Sequence, residues 1–133
     1  MKKDIKIPEV KQVSMAVVHE FNPSFTHKDW NVYLINESQE SLDMVLVVSK
    51  GADNEKDLKT SVIRRKINSL PPQSYAKIEF IPDELLALDN LFQVSYFQDN
   101  KMYEKNFLFA KNTIKESNFS TVPLLNKKGV LAV

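Results

Sequence analysis

The stretch that decides the fold is a turn followed by a strand, Leu70-Pro71-Pro72-Gln73-Ser74-Tyr75-Ala76-Lys77-Ile78-Glu79-Phe80-Ile81. Proline cannot donate a backbone hydrogen bond, so the pair Pro71 and Pro72 predicts a turn that lies outside any sheet ladder. After the turn, apolar residues at positions 76, 78 and 80 alternate with the charged Lys77 and Glu79. A period of two is typical of a strand with one face in a core and the other in water.

Similar apolar runs, separated by turn residues, recur along the chain. We therefore predict seven strands, over residues 10–21, 30–36, 42–48, 60–67, 75–81, 91–97 and 102–109. Pro82 and the acids after it predict one helical turn over residues 82–88, because proline and acidic residues suit the start of a helix. Seven short strands favour an all-β, antiparallel sandwich over an open sheet. The domain would span residues 10–110, between an N-terminal arm (1–9) and a C-terminal tail (111–133).

The amino-acid composition argues against several classes of function. The 133 residues carry 18 basic and 17 acidic side chains and a net charge of +1, which argues against binding driven by phosphate neutralisation. The chain has no cysteine and only two glycines, Gly51 and Gly129, so thiol chemistry and glycine-rich phosphate loops are excluded. No apolar run predicts a signal peptide or a membrane span. We therefore expect a cytoplasmic protein with no membrane partner.

The tail keeps apolar residues that a solvated segment has no reason to hold. We take the following four as candidate interaction residues: Leu124, Leu125, Val130 and Leu131. Burying one such side chain stabilises by about 1.5–3 kcal/mol, so the tail is expected to pack on something. Two alternatives remain open at this stage. The tail packs on its own domain, or it crosses to a second subunit or a partner's groove.

Catalytic and metal motifs are weak. His19 and His27 are the only histidines, and their spacing matches no compact ligand motif. The acids of the segment 53–57 alternate as in a calcium loop, but that loop's sixth-position glycine is missing. No Gly-x-Ser-x-Gly elbow is present. We expect no catalytic residue, no metal ligand and no cofactor, and hence no enzyme.

Two surface features bear on partners. Arg64, Arg65 and Lys66 are adjacent, so on a strand they divide between its two faces, and they predict a solvated edge that resists unwanted pairing. Aromatic residues could instead form a stacking platform for single-stranded nucleic acid: Tyr33, Tyr75, Tyr96, Phe97, Tyr103 and Phe107. In a β-protein, core packing explains most such residues, so this second interpretation is the weaker.

Two resemblances add to this interpretation. The segment 30–35, the proline turn and the paired strands 91–97 and 102–109 resemble an immunoglobulin or fibronectin type III sandwich without its disulfide. The segments 1–10, 29–36 and 103–105 are similar to a family of short bacterial proteins, some labelled phenylalanyl-tRNA synthetase alpha subunit. That enzyme class binds ATP with arginines, one of them in a glycine-rich motif. Here the only arginines, Arg64 and Arg65, have no glycine nearby, so no catalytic residue carries over.

The sequence therefore predicts a non-catalytic protein-interaction module. It would bind a protein partner, or a second copy as a homodimer, through an exposed sheet edge or the apolar tail. The alternative is an RNA- or tRNA-associated accessory protein without synthetase activity.

Overall fold

The computed structural model describes residues 8–133, so most of the predicted N-terminal arm (1–9) lies outside the described residues. The fold is all-β, as predicted, with two sheets of antiparallel strands. The described residues form ten strands: β1 (Val13–Asn22), β2 (His27–Asn36), β3 (Leu42–Asp53), β4 (Leu58–Lys59), β5 (Ile63–Leu70), β6 (Ser74–Ile81), β7 (Asp89–Gln98), β8 (Lys101–Phe109), β9 (Ser120–Val122) and β10 (Lys127–Leu131). Within residues 8–133, no helix has the length and apolar character needed to cross a membrane.

The predicted count of about seven strands is too low. The seven predicted strands correspond to β1, β2, β3, β5, β6, β7 and β8. The additional strands are β4, only two residues long, and β9 and β10, which lie in the segment predicted as a tail. The predicted helical turn is a short 3-10 turn at Asp83–Leu85.

The strand order sets which edges are covered. The first sheet has the order β6-β2-β1-β10-β9, and the second has the order β4-β3-β7-β8 with β5 also paired to β3. The chain passes between the sheets after β2, β5, β6 and β8. One continuous cluster of buried apolar residues lies between the sheets, with Met15 and Leu34 from the first sheet and Val47 and Phe92 from the second.

Asn36 holds the proline turn in place. This residue ends β2 and is fully buried, and its side-chain amide donates to the carbonyl oxygens of Leu70 at 3.2 Å and Pro71 at 3.0 Å. Gln73 adopts a φ of 54° and donates to the carbonyl oxygen of Glu37. The prolines remove backbone donors, and the side-chain amides of Asn36 in β2 and Gln73 in the turn supply donors in their place.

A bulge in β6 corrects the predicted face assignment. The register between β2 and β6 shifts between Val32, opposite Glu79, and Tyr33, opposite Lys77. Because the extra residue reverses the alternation, Phe80 is 52% exposed, whereas it was predicted on the core face. The same bulge turns Glu79, predicted to face water, toward the second sheet.

The C-terminal segment folds onto its own chain. Within the first sheet, β10 pairs with β1 through Leu131 opposite Ala16 and Val130 opposite Val17. Gly129 permits the close approach, since a Cβ there would lie 2.5 Å from the carbonyl oxygen of Val17. The β9–β10 hairpin thereby extends the first sheet, and it packs on part of that sheet's outer face, where a second apolar cluster joins Ala16, Val18, Ile35 and Val122.

Candidate interaction surface on the second sheet

The four residues predicted from the tail lie mostly against their own domain. Leu124 and Leu125 are partly buried against the second apolar cluster, on the outer face of the first sheet. Val130 is 5% exposed and belongs to the core between the sheets. Only Leu131, at 38% exposure, presents substantial apolar surface. These side chains are occupied within the chain, so other surfaces are better placed to meet a partner.

A polar cluster fastens the hairpin to the first sheet. Glu20 of β1 accepts hydrogen bonds from Asn31 at 2.8 Å and from Tyr33 at 2.5 Å, and it forms an ion pair with Lys127 of β10. Burial raises the pKa of Glu20, but the hydrogen bonds from Lys127, Tyr33 and Asn31 outweigh it and hold the pKa below its ordinary value. The carboxylate is therefore charged at neutral pH and used structurally.

The β8 edge is partly open. On one side β8 pairs with β7, and on the other Leu108 exchanges two backbone hydrogen bonds with Val133, at 3.3 and 3.1 Å. The backbone N–H and C=O groups of successive residues in a strand point to opposite sides. Asn106 and Glu104 therefore direct their N–H and C=O groups away from β7, as Leu108 does. No strand among residues 8–133 pairs with this stretch, and it can accept an extended segment.

The β5 edge is open along its whole length. This eight-residue strand pairs with β3 on one side, and no other strand of the described chain pairs with it on the other side. Its exposure is high on both faces, with Ile63 48% exposed and only Leu70 buried. The edge predicted from Arg64, Arg65 and Lys66 therefore lies at the border of the second sheet.

The outer face of the second sheet has a defined charge pattern. Strand pairing places Arg64 in one row with Val48, Gln93 and Asn106, and Lys66 in the next row with Leu46, Ser95 and Glu104. Lys59 of β4 lies opposite Ala52 at the same border of the sheet. We call Lys59, Arg64 and Lys66 the basic column. It flanks a stripe on β3 formed by the aliphatic Leu46, Val48 and Ala52, with Lys50 between the last two.

A groove of about 330 Å³ crosses the same face beside the basic column. Ala52, Leu91 and Leu108 line it with apolar surface, and Lys50 and Lys59 add two positive charges. Lys50, Leu91 and Leu108 are directly paired across three strands, which makes this part of the face continuous. Asp89 and Asn54 complete the lining, so the groove combines an apolar floor with walls of mixed charge.

The third cation of the predicted cluster has a different environment. Arg65 lies on the inner face of β5, and its charge acts on Glu79 of β6. The Glu79 carboxylate accepts a hydrogen bond of 2.8 Å from the Ser49 hydroxyl, in a small cleft of about 30 Å³. A volume of this size has room for about one water molecule and no organic substrate. Arg65 thus serves the domain itself, while Arg64 and Lys66 face outward.

Glu79 gives the domain a testable pH dependence. Burial raises the pKa of Glu79 above its ordinary value of 4.5, and the Ser49 hydrogen bond and the charge of Arg65 oppose part of that rise. A raised pKa in the folded state means that protonation stabilises the fold, and this stability is lost as the pH rises from 4.5 through the folded-state pKa. We expect Glu79→Gln to remove that decline and to be more stable than the wild type at pH 7.

The measurement is the free energy of unfolding in urea at pH values from 4 to 8. Ser49→Ala is the matched variant, because it removes the hydrogen bond to the charged form and should steepen the decline. Parallel pH profiles for the wild type and Glu79→Gln would show that Glu79 ionises without cost to the fold.

The two histidines lie apart and have different partners. His19 stacks on Trp30 with ring centroids 3.8 Å apart, and its pKa is lowered mainly by burial. His27 contacts Asp29 at 2.9 Å on the surface.

Of the acidic segment 53–57, Asp53 and Glu55 lie near the ammonium group of Lys111, at 3.6 and 3.7 Å. No group of three His, Cys, Asp or Glu side chains within residues 8–133 could hold a metal ion.

The aromatic residues do not share one surface. Tyr96 and Phe107 are buried in the core, and Tyr96 stacks on Tyr103 with centroids 5.3 Å apart. Tyr33 meets Tyr75 edge to face at 5.8 Å on the outer face of the first sheet. Phe97 lies on the opposite sheet. They therefore offer no continuous platform on which successive bases could stack.

The sequence alone did not predict that the residues of the groove, or those of the basic column, lie next to one another. Their members come from positions 46–66 and 89–108, and only the strand register brings them together. The one available signal was the alternation around Arg64 and Lys66, which placed these two cations on one face. The Glu79 cleft had no signal, because a bulge decides it.

Comparisons with known proteins add no relative: no family model matches this chain, and neither a curated protein nor a solved structure is significantly similar to it.

Proposed function

We propose that this chain is a non-catalytic protein-interaction module with an immunoglobulin-like sandwich, acting in the cytoplasm. It binds an extended segment of a partner protein through a free edge of the second sheet. The observation that carries the proposal is the contrast between the two sheets. The segment between β9 and β10 packs Leu124 and Leu125 on part of the outer face of the first sheet, whereas the second sheet presents an aliphatic stripe and the basic column beside the open β5 edge.

The strand connections support the immunoglobulin-like part of the proposal. Strands β1, β2 and β6 share one sheet, and β3, β7 and β8 share the other. Immunoglobulin-like domains divide their strands between two sheets in the same way, with A, B and E in one sheet and C, F and G in the other. β5 takes the place of an added strand C′. β9 and β10 extend the first sheet beyond that plan. Domains of this architecture serve many functions, so the edges and not the fold support the binding role.

Strand addition is the binding mode that suits these edges. An unpaired edge presents backbone N–H and C=O groups that an extended peptide can satisfy, and pockets for alternate side chains supply specificity. Val133 already uses β8 in this manner through its two hydrogen bonds to Leu108. A partner segment would continue along the remaining length of β8 or along β5.

The test is affinity capture with edge-blocked baits. Glu104→Pro removes an outward-facing N–H from β8, a position where an edge strand tolerates proline. Arg64→Glu/Lys66→Glu reverses the charge beside β5. Each bait is compared with the wild type in native cell extract, with and without nuclease, and bound proteins are identified by mass spectrometry. We expect one stoichiometric, nuclease-resistant partner that at least one blocked bait fails to retain.

Two results would contradict the proposal. Retention of the same partner by both blocked baits would place binding away from the second-sheet edges. Loss of every partner on nuclease treatment would favour the alternative, an RNA- or tRNA-associated accessory protein related to the short bacterial family. Among the described residues, the basic column is the feature that supports this alternative, and binding to RNA would then fall steeply with salt.

A further inference from the structure

The basic column selects the chemistry of the partner. Building on the proposed edge-binding function, we infer that the β5 edge takes an acidic, extended protein segment. Its carboxylates would lie beside Arg64 and Lys66, and its backbone would pair with β5.

Arg64 and Lys66 are positioned to receive charge from outside. Both are exposed and project from the same face of β5, two residues apart, since they lie opposite Val48 and Leu46. Among the described residues, neither forms an ion pair within 4 Å. Asp43, near the start of β3, accepts hydrogen bonds from the hydroxyl groups of Ser41 and Ser69 and forms no ion pair with either cation. Their charges are thus available to a partner.

The spacing fits an added strand. Alternate residues of a strand are about 6.6 Å apart and share a face, so Arg64 and Lys66 match two acidic residues separated by one position. Opposite charges directly across two strands stabilise the pairing. The intervening residue of the partner would face the opposite side, near Arg65 and the exposed Ile63. In a segment that alternates acidic and aliphatic residues, the acidic side chains would lie beside Arg64 and Lys66, and the aliphatic side chains would lie on the face that carries Ile63.

A second copy is a poor occupant of this edge. Two β5 strands related by a two-fold axis at Arg65 would place Arg65 against its copy and Arg64 against Lys66. Like charges directly opposite are destabilising. The edge therefore opposes self-pairing through the same charges that attract an acidic strand, which is a common means of specificity.

Nucleic acid also carries negative charge, but the adjoining surface favours a peptide. The stripe beside the basic column consists of Leu46, Val48 and Ala52 with Lys50 between them, so it offers no aromatic ring on which successive bases could stack. The net charge of +1 for the whole chain gives no broad field to hold a phosphate backbone. An acidic peptide needs only the local column and the free edge.

The experiment titrates the full chain with a fluorescein-labelled peptide that alternates glutamate with valine over eight residues. Its counterpart alternates lysine with valine, and a labelled eight-nucleotide poly(U) serves as the nucleic-acid probe. Fluorescence anisotropy gives each affinity, and amide chemical shifts locate the binding site. We expect the glutamate peptide to bind at least tenfold more tightly than the lysine peptide, with the largest shifts in β5.

Charge-reversed variants complete the test. Arg64→Glu/Lys66→Glu should reverse the preference between the two peptides, and Arg64→Gln/Lys66→Gln should abolish it. The matched control is Lys28→Glu/Lys77→Glu on the first sheet, where both lysines are exposed, and it should retain the wild-type preference. Unchanged melting temperatures identify the variants that remain folded.

Three results would overturn the inference. They are equal binding of the two peptides, preference for poly(U) over the glutamate peptide, and shifts confined to β8. The last result would leave the proposed edge-binding function standing while removing β5 as the acidic site. Failure of both edges to bind any peptide, together with a captured partner retained by both blocked baits, would remove the proposed function as well.

Discussion

Deletion of residues 119–133 is expected to abolish cooperative folding. The deletion removes β9 and β10, including the buried Val122 and Val130. It also exposes the second apolar cluster on the first sheet, where Ala16 and Ile35 are fully buried. Each lost aliphatic burial costs about 1.5–3 kcal/mol, so the sum approaches the about 5–15 kcal/mol that holds a domain folded. Circular dichroism during thermal unfolding provides the measurement.

A substitution at an exposed position of the same segment serves as the control for the deletion, because it changes the sequence without removing buried side chains. Leu131→Ser changes the one tail leucine that is 38% exposed, and we expect its stability to remain within about 0.5 kcal/mol of the wild type. If the truncated protein melts at the wild-type temperature, the hairpin contributes nothing to the fold and its apolar residues are available to a partner.

Trp30→Ala is expected to destabilise the domain by about 3–5 kcal/mol. Trp30 is 8% exposed and lies between two rings, stacked on His19 at 3.8 Å and edge to face with Phe119 at 6.0 Å. Removing the indole leaves a cavity between β1, β2 and the C-terminal segment. Urea unfolding at pH 7 measures the change.

Trp30→Phe is the matched variant, because it keeps an aromatic ring between His19 and Phe119. We expect it to recover part of the loss. A change near zero for Trp30→Ala would mean that the indole is a surface group, and would make Trp30 a binding candidate.

Much of the fold could be predicted because most strands carry their own local signal. The proline turn and the alternation after it identified β6, and the apolar run 42–48 identified β3. The structure confirms an all-β arrangement of antiparallel strands. These features depend on the chain within about ten residues, which is the distance that periodicity reports.

The missed features depend on distant contacts. β9 and β10 have no clear alternation, and β10 becomes a strand because Val130 and Leu131 pair with β1 more than a hundred residues earlier. Phe80 was assigned to the wrong face because the bulge between β2 and β6 is a property of two strands together. The basic column likewise requires the register of β3 against β4 and β5.

The most direct test of the central claim is amide hydrogen exchange on the captured complex. The chain is compared alone and with its nuclease-resistant partner, residue by residue. The account predicts new protection in β5 or in residues 101–107 of β8, since an added strand satisfies edge amides that exchange freely in the isolated chain. Protection confined to the β9–β10 hairpin, or absent from both edges of the second sheet, would contradict it.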